Sequence, residues 1–437
     1  MAQYSKVQLI AYHVPTDKSL KAGNACSITK ASADIINPYL EKMSSDDARN
    51  RLRRMVAVVE KAETSTDLGD KSTLKVFMAP EFYFQPFVSA DYNDPAKVKE
   101  LPPRRYSESD KNLIVSALFW LFAEKRWTDW LFVFGTIIWE AEAKKFLDDL
   151  ATIIDRKKAV DSDYDSTQAN TDPLLVLKND KISMESLASA KDRPVVFNTA
   201  ILITGGFGVL TVNKKNYSDY DKILKNYRPT TDNDAYNSLP FKEKTAIRNY
   251  LDALAKLDPK NSLTSVADNL NATVEICKDH DDGVVEFAYG RFKASWGNDN
   301  VPVIDIQLLT CCGMQFQLRN VVVPKDRFAL RCDGSSDEGS SSEVLVVTGF
   351  ELDKNKRQIP TVKSTVKPKS AIALEGDLAL DLTGLTATNK DAQTVDLKTV
   401  FKQELFMYAP MAIAPLNRNN NNPLQKQVVP QNQVVTK

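Results

Sequence analysis

The chain is poor in the residues that most enzyme chemistries draw on. It has two histidines in 437 residues, His13 and His280, which leaves few ways to build a zinc site or a histidine-based triad. It has five cysteines, Cys26, Cys277, Cys311, Cys312 and Cys332. An odd number without regular spacing does not read as a disulfide framework, so reduced thiols are expected. There is no excess of either charge, with 57 Lys plus Arg against 57 Asp plus Glu. That balance removes the broad positive field of a nucleic-acid binder. The longest apolar runs, around Leu113–Ala123 and Trp130–Trp139, fall short of the roughly 20 residues needed to span a bilayer. The first residues lack an apolar core of signal-peptide length. A cytoplasmic protein without a membrane or nucleic-acid partner is the expectation.

What is present is a globular mix, 43% hydrophobic and 26% charged, arranged as short apolar runs alternating with amphipathic stretches. Strands are expected at Val7–Tyr12, Leu74–Ala79 and Leu131–Ile138. Between them lie two helices. The first, Ser45–Glu63, has a serine cap, Asp46 and Asp47 in its first turn, and Leu52, Met55, Val56, Val59 and Ala62 on one face. The second, Ser107–Lys125, carries Leu113, Ile114, Ala117, Leu118, Leu121 and Phe122. Strand–helix alternation predicts an α/β arrangement with helices packed on buried sheets.

A hairpin follows, Val195–Thr204 returning through Val209–Val212 around Gly205-Gly206. Later strands are expected at Thr273–Cys277, Val301–Leu309, Val321–Val323, Phe328–Arg331 and Val344–Phe350. Two charged, weakly periodic stretches, near 140–194 and 216–270, read as insertions. The first is given a strand at Leu174–Leu177, the second a helix at Phe241–Leu257. The expected division is a main domain over 1–342, a β-containing C-terminal extension over 343–417 whose Leu405–Leu416 run docks, and a disordered Asn/Gln-rich tail over 418–437.

Three reactive side chains each follow an expected strand, where a sheet holds the backbone rigid while the side chain meets a cleft. Glu81 ends Phe77-Met78-Ala79-Pro80. Lys214 follows Val212-Asn213, with Lys215 as the fallback because adjacent strand residues face opposite ways. Cys277 follows Val274-Glu275-Ile276. Singly, each has a plain alternative: a loop carboxylate, a solvated lysine pair, a small buried hydrophobe.

Their chemistry is coherent together. An ordinary thiol is a weak nucleophile until a base takes its proton, and Glu81 can serve as that base. Cys277 would attack an amide carbonyl or nitrile carbon. Lys214 and the backbone N–H of Lys278 would stabilise the developing negative charge.

The order of glutamate, lysine and cysteine in an α/β chain resembles the carbon–nitrogen hydrolase family, the nitrilase superfamily. Phe77–Phe82 is similar to its glutamate motif, Phe197–Gly206 with Val212–Lys214 to its lysine motif, and Val274–Asp279 to its cysteine motif. Phe134-Gly135-Thr136 is similar to the strand that the family places between them. Together they span most of the chain from Val7 to about Met314. The resemblance implies a four-layer α-β-β-α sandwich, hydrolysis of non-peptide carbon–nitrogen bonds through a thioester, no cofactor or metal, and self-association into a homo-oligomer. It also favours Lys214, because the family's lysine directly follows the strand's last residues. Family nitrilases place Trp-Glu after the cysteine, where this chain has Lys278-Asp279, so an amide is preferred to a nitrile as the small-molecule substrate.

Pocket candidates are Phe82, Tyr83, Trp139, Asp279, His280, Met314 and the pair Cys311 and Cys312. For each the plain alternative is core packing, and for His280 a structural role beside a turn. Two other readings stay open: an inactive hydrolase fold used for interaction or assembly, and a metal-dependent phosphodiesterase using Glu81 with the Asp279-His280 pair.

Overall fold

In a computed structural model the described residues are 3–17, 20–23, 25–87, 105–142, 194–206, 208–214, 263–267, 270–286, 289, 303–336, 342–355, 357–388 and 393–413. The expected strand at 174–177, the helix at 241–257, most of both insertions, Lys215 and the 418–437 tail lie outside them.

The protein is mixed α/β and is built on two stacked sheets. Among the described residues, the first has nine strands. Its centre is parallel: β1 (Lys6–His13), β2 (Thr73–Ala79) and β4 (Trp130–Glu142). Short β3 (Tyr106–Ser107) pairs with the end of β4. The hairpin β5 (Pro194–Thr204) and β6 (Gly208–Asn213) adds antiparallel to β4. The second sheet has six strands. Its parallel centre is β8 (Leu270–Ile276), β9 (Ile306–Cys311) and β10 (Phe328–Asp333). Antiparallel β7 (Leu263–Ala267) flanks one side, and β11 (Glu343–Leu352) with β12 (Gln358–Val366) the other.

Alternation along the strands explains the layers. Ile10, Tyr12, Phe77, Phe132 and Phe134 face three helices, α1 (Lys30–Leu40), α2 (Asp46–Thr64) and α3 (Glu108–Phe122). Leu9, Ala11, Val76, Met78, Leu131 and Val133 face the other way. They close a dry core against Val274, Ile276, Ile306, Leu308, Phe328 and Leu330 of the second sheet. On that sheet's outer face, Val285, Ile304, Val321, Val323, Ala329, Leu345 and Val347 form a smaller cluster.

The helices start where their caps lie: Ser45 accepts from Ala48 N, and Ser107 from Asp110 N. Helix α1 was not expected; Pro38 lies inside it, and proline in a helix interior ordinarily breaks one. Its start is held by the cap Thr29 and by Glu60 of α2, which accepts from Thr29 N and the Ser32 hydroxyl. The expected strand at 321–323 is not one. There a 3-10 turn at Leu318–Asn320 leads into extended chain whose Val322 N–H bonds the side chain of Gln307 rather than a neighbouring strand.

Residues 343–413 join both sheets. Beyond β11 and β12, the strands β13 (Ser370–Ala373), β16 (Glu404–Met407) and β17 (Met411–Ala412) extend the first sheet, with β16 and β17 pairing antiparallel to β1. Between them, β14 (Thr386–Thr388) and β15 (Thr394–Asp396) make a separate two-stranded ribbon. No described helix is long and apolar enough to cross a membrane.

Candidate active site

The three chemistry-bearing residues sit at strand ends of the two stacked sheets. Glu81 follows β2 in a tightly fixed turn. Its N–H points to Cys311 O at 3.4 Å, while Phe82 N donates to Thr136 Oγ1 at 2.8 Å and Phe84 N to Thr136 O at 3.0 Å. Buried Arg51 of α2 holds the next carbonyl, Tyr83 O, at 2.8 Å. Phe82 takes a left-handed φ of 64°, a conformation sparsely populated by bulky side chains. The turn rests on Gly135, whose φ is 70° and where a Cβ would lie 2.2 Å from Pro80 O. Only glycine combines that backbone with that closeness.

Lys214 continues the β5–β6 ladder by one residue, its N–H donating to Asn198 O at 2.8 Å. Its Nζ reaches Glu81 Oε1 at 2.8 Å, and both side chains are fully buried. Asn198 Nδ2 donates to the same oxygen at 2.8 Å. The Lys214 ammonium also stands 5.8 Å from the centre of the Phe82 ring.

Cys277 terminates β8 with φ 45° and ψ −107°, outside the regions an L-residue ordinarily occupies. Its N–H donates to Thr310 O at 3.0 Å, and its carbonyl accepts from His280 N at 2.9 Å. The short helix α4 (Lys278–Asp281) begins immediately after it. The Lys278 N–H is therefore one of the first-turn donors for which a helix supplies no acceptor. The Lys278 side chain turns away to Asp281 and Asp282, which hold its ammonium above the usual lysine range.

The two sheets are tied together at this end: Thr310 Oγ1 donates to Ala79 O at 3.0 Å. Cys311 and Cys312 follow Thr310. Burial pushes both thiols well up, and both respond to the charge of Glu81 and of Cys277. Cys277 N donates to Thr310 O and Glu81 N points to Cys311 O, so the backbones of the two residues meet adjacent residues at the end of β9. Cys312 packs with Phe82 and Ile138 beside it. Cys332, on β10, is pushed up to about 12 by burial.

The remaining candidates separate. Phe82 lies at the pair. Tyr83 points the other way, into the helix-side core, with its hydroxyl on Arg51 O. Trp139 likewise takes the helix-side face, stacked on Phe197 at 4.5 Å with Nε1 on Thr199 Oγ1, whereas neighbouring Ile138 packs against Phe82. Met314 packs at the edge of the inter-sheet core, and its carbonyl accepts from Arg331. Asp279 is buried in α4.

His280 belongs to a buried network. Gln317 N donates to its Nε2 at 3.0 Å, so the ring proton sits on Nδ1 and is given to Glu275 Oε2 at 2.7 Å. Glu275 also accepts from Gln307 Nε2 and Val285 N. Asn320 Nδ2 bonds the carbonyls of His280 and Asp281. The network clamps the turn that carries Cys277, and it occupies both ring nitrogens of the Asp–His pair that a phosphodiesterase reading would use.

Asn198 was not singled out from the sequence, although a signal existed. Thr204 pairs with Gly208 and Thr199 with Asn213 across the hairpin. Counting outward from the turn therefore sets Asn198 opposite Lys214.

No family model matches the chain, and no curated protein matches it.

Proposed function

We propose that the protein hydrolyses a non-peptide carbon–nitrogen bond, preferably of a small-molecule amide, with Cys277 as nucleophile, Glu81 as general base and acid, and Lys214 as charge stabiliser. The observation that carries this reading is the buried Lys214–Glu81 pair, set at the same end of the stacked sheets as a cysteine held at φ 45°. A buried ion pair is weak evidence for stability alone. Strained, non-glycine backbone and desolvated charges concentrate where function requires them.

The chemistry follows from these groups. Glu81 takes the proton from Cys277 Sγ as the sulfur attacks the carbonyl carbon. The oxygen becomes an oxyanion, stabilised by the Lys214 ammonium and the Lys278 N–H. Glu81 returns the proton to the leaving nitrogen, the C–N bond breaks and ammonia or an amine departs, leaving a thioester. Water then gives a proton to Glu81 and attacks the thioester carbon. The C–S bond breaks, the acid leaves, and the proton returns to sulfur. The reading includes the four-layer α-β-β-α sandwich of the carbon–nitrogen hydrolases, self-association and a cytoplasmic setting.

The test is a panel of amides and nitriles assayed for released ammonia with wild type and Cys277→Ala. Release from amides that the substitution abolishes is the expected result. Activity that survives it refutes the mechanism, and release from nitriles alone overturns the amide preference.

A further inference from the structure

Resting on the proposed reaction, we infer that Asn198 is a positioning residue: with Lys214 it saturates Oε1 of Glu81 and so assigns proton exchange with the Cys277 thiol to Oε2.

Two donors meet at one atom. Lys214 Nζ and Asn198 Nδ2 both lie 2.8 Å from Glu81 Oε1. A carboxylate oxygen offers about two in-plane acceptor sites, so both sites of Oε1 are taken. A proton arriving at Oε1 would have to displace one of these donors. A proton arriving at Oε2 displaces neither.

The donors are rigid for a structural reason. Asn198 and Lys214 are opposite one another across the β5–β6 pair, joined by the Lys214 N–H to Asn198 O bond, and opposed side chains share a face of a sheet. Both are buried, at 2% and 1% exposure, so little freedom remains to swing either donor to the second oxygen. Lysine alone could not choose an oxygen so firmly, because an ammonium is a compact point charge on a flexible stem. The planar amide of Asn198, on β5 between β4 and β6, adds the directional constraint.

Lys214 and Asn198 of the first sheet hold Glu81 Oε1; from the second sheet Cys311 O meets the Glu81 N–H, Cys312 packs on Phe82, and Cys277 N bonds Thr310 O. Removing the Asn198 donor withdraws a hydrogen bond to the ionised carboxylate, which makes protonation easier. The acid limb of any Glu81-assisted step then moves to higher pH, and the freed carboxylate loses its fixed orientation.

The experiment needs no substrate. The rate of Cys277 alkylation by iodoacetamide is followed by peptide mass spectrometry from pH 5 to 9 in wild type, Glu81→Gln, Asn198→Leu and Asn198→Ser, with folding of each checked by circular dichroism. Serine is included because it is small enough to be accommodated if the buried leucine does not fold. The expected result is an acid limb raised by about one pH unit in the Asn198 variants, a tenfold change in proton affinity, together with a lower plateau rate. A profile that responds to Glu81→Gln but stays at its wild-type position in a folded Asn198 variant overturns the inference alone. A wild-type profile that Glu81→Gln leaves unchanged overturns the proposed reaction, and the inference with it.

Discussion

Lys214 Nζ lies 2.8 Å from Glu81 Oε1, with neither side chain exposed to solvent. The two come from separate strands of the first sheet, and each is the other's charge partner in a region that water does not reach. Breaking such a pair by removing one partner leaves an uncompensated buried charge, at about 3–5 kcal/mol. Lys214→Met should therefore lower unfolding free energy by about that amount in a denaturant titration. The double variant Lys214→Met/Glu81→Gln should lose clearly less than the sum of the two single losses. Additive losses would show that the pair is not coupled.

Cys277 at φ 45° and ψ −107° gives a second expectation. In an ordinary strand or helix, glycine is less stable than alanine by about 0.5–1 kcal/mol. At a strained position of this kind the order should reverse, with Cys277→Gly more stable than Cys277→Ala by about 1–2 kcal/mol. Thermal unfolding of the two variants checks it, and an alanine variant at least as stable would remove the argument for strain.

Gly135 supports the glutamate turn from below. Its φ of 70° and the 2.2 Å approach that a Cβ would make to Pro80 O act together. Gly135→Ala should destabilise by about 3 kcal/mol or more, through strain and through displacement of the backbone next to Glu81. The measurement is a denaturant midpoint, with ammonia release by any folded fraction as the second readout.

His13 supplies the pH dependence. It is stacked between Phe401 at 4.4 Å and Phe406 at 4.8 Å. Its Nδ1 has no hydrogen-bond partner among the described residues. Burial lowers its proton affinity from the ordinary 6.5 to about 4. As pH falls below 6.5 the unfolded chain takes up a proton that the folded chain refuses until about pH 4. Stability contributed by neutral His13 is thus full above 6.5 and declines between 6.5 and 4, by a total on the order of 3 kcal/mol. His13→Phe should flatten that part of the stability–pH curve. An unchanged slope would show that other groups produce it.

The clamp behind Cys277 gives the last expectation. Glu275 accepts from His280, Gln307 and Val285 N. Glu275→Leu leaves three buried donors unsatisfied, which should reduce stability by about 2–4 kcal/mol and slow Cys277 alkylation by loosening its turn. Unfolding and alkylation measured on one preparation separate the two effects, and an alkylation rate equal to wild type would confine Glu275 to stability.

Much of this site is local in origin. The runs Leu74–Ala79, Leu131–Ile138 and Phe197–Val212 are rich in β-forming residues, and they became β2, β4 and the β5–β6 hairpin. The apolar stripe Leu52, Met55, Val56, Val59 and Ala62 is the buried face of α2. Helix α1 escaped because it depends on Glu60, a residue of another helix, for its first turn. Pairing of β16 with β1 joins residues about 400 apart along the chain, and no local pattern encodes such a partner. Tyr83 was expected at the site as a near neighbour of Glu81 and Trp139 as the end of its strand, yet the bulge at Gly135 and the turn at Phe82 set which side chains face the glutamate.

The scarcity of histidine and the three reactive residues, each following a strand, came from the sequence by itself, because strand-forming patterns are local and need no distant contact. The tertiary structure alone decided the rest. Stacking of the sheets brought the backbones of Cys277 and Glu81 to adjacent residues of β9, register across the hairpin added Asn198, and His280 was drawn into a network with Glu275. These outcomes depend on which strands meet and in what register, and that is fixed by burying apolar faces against each other over the whole chain.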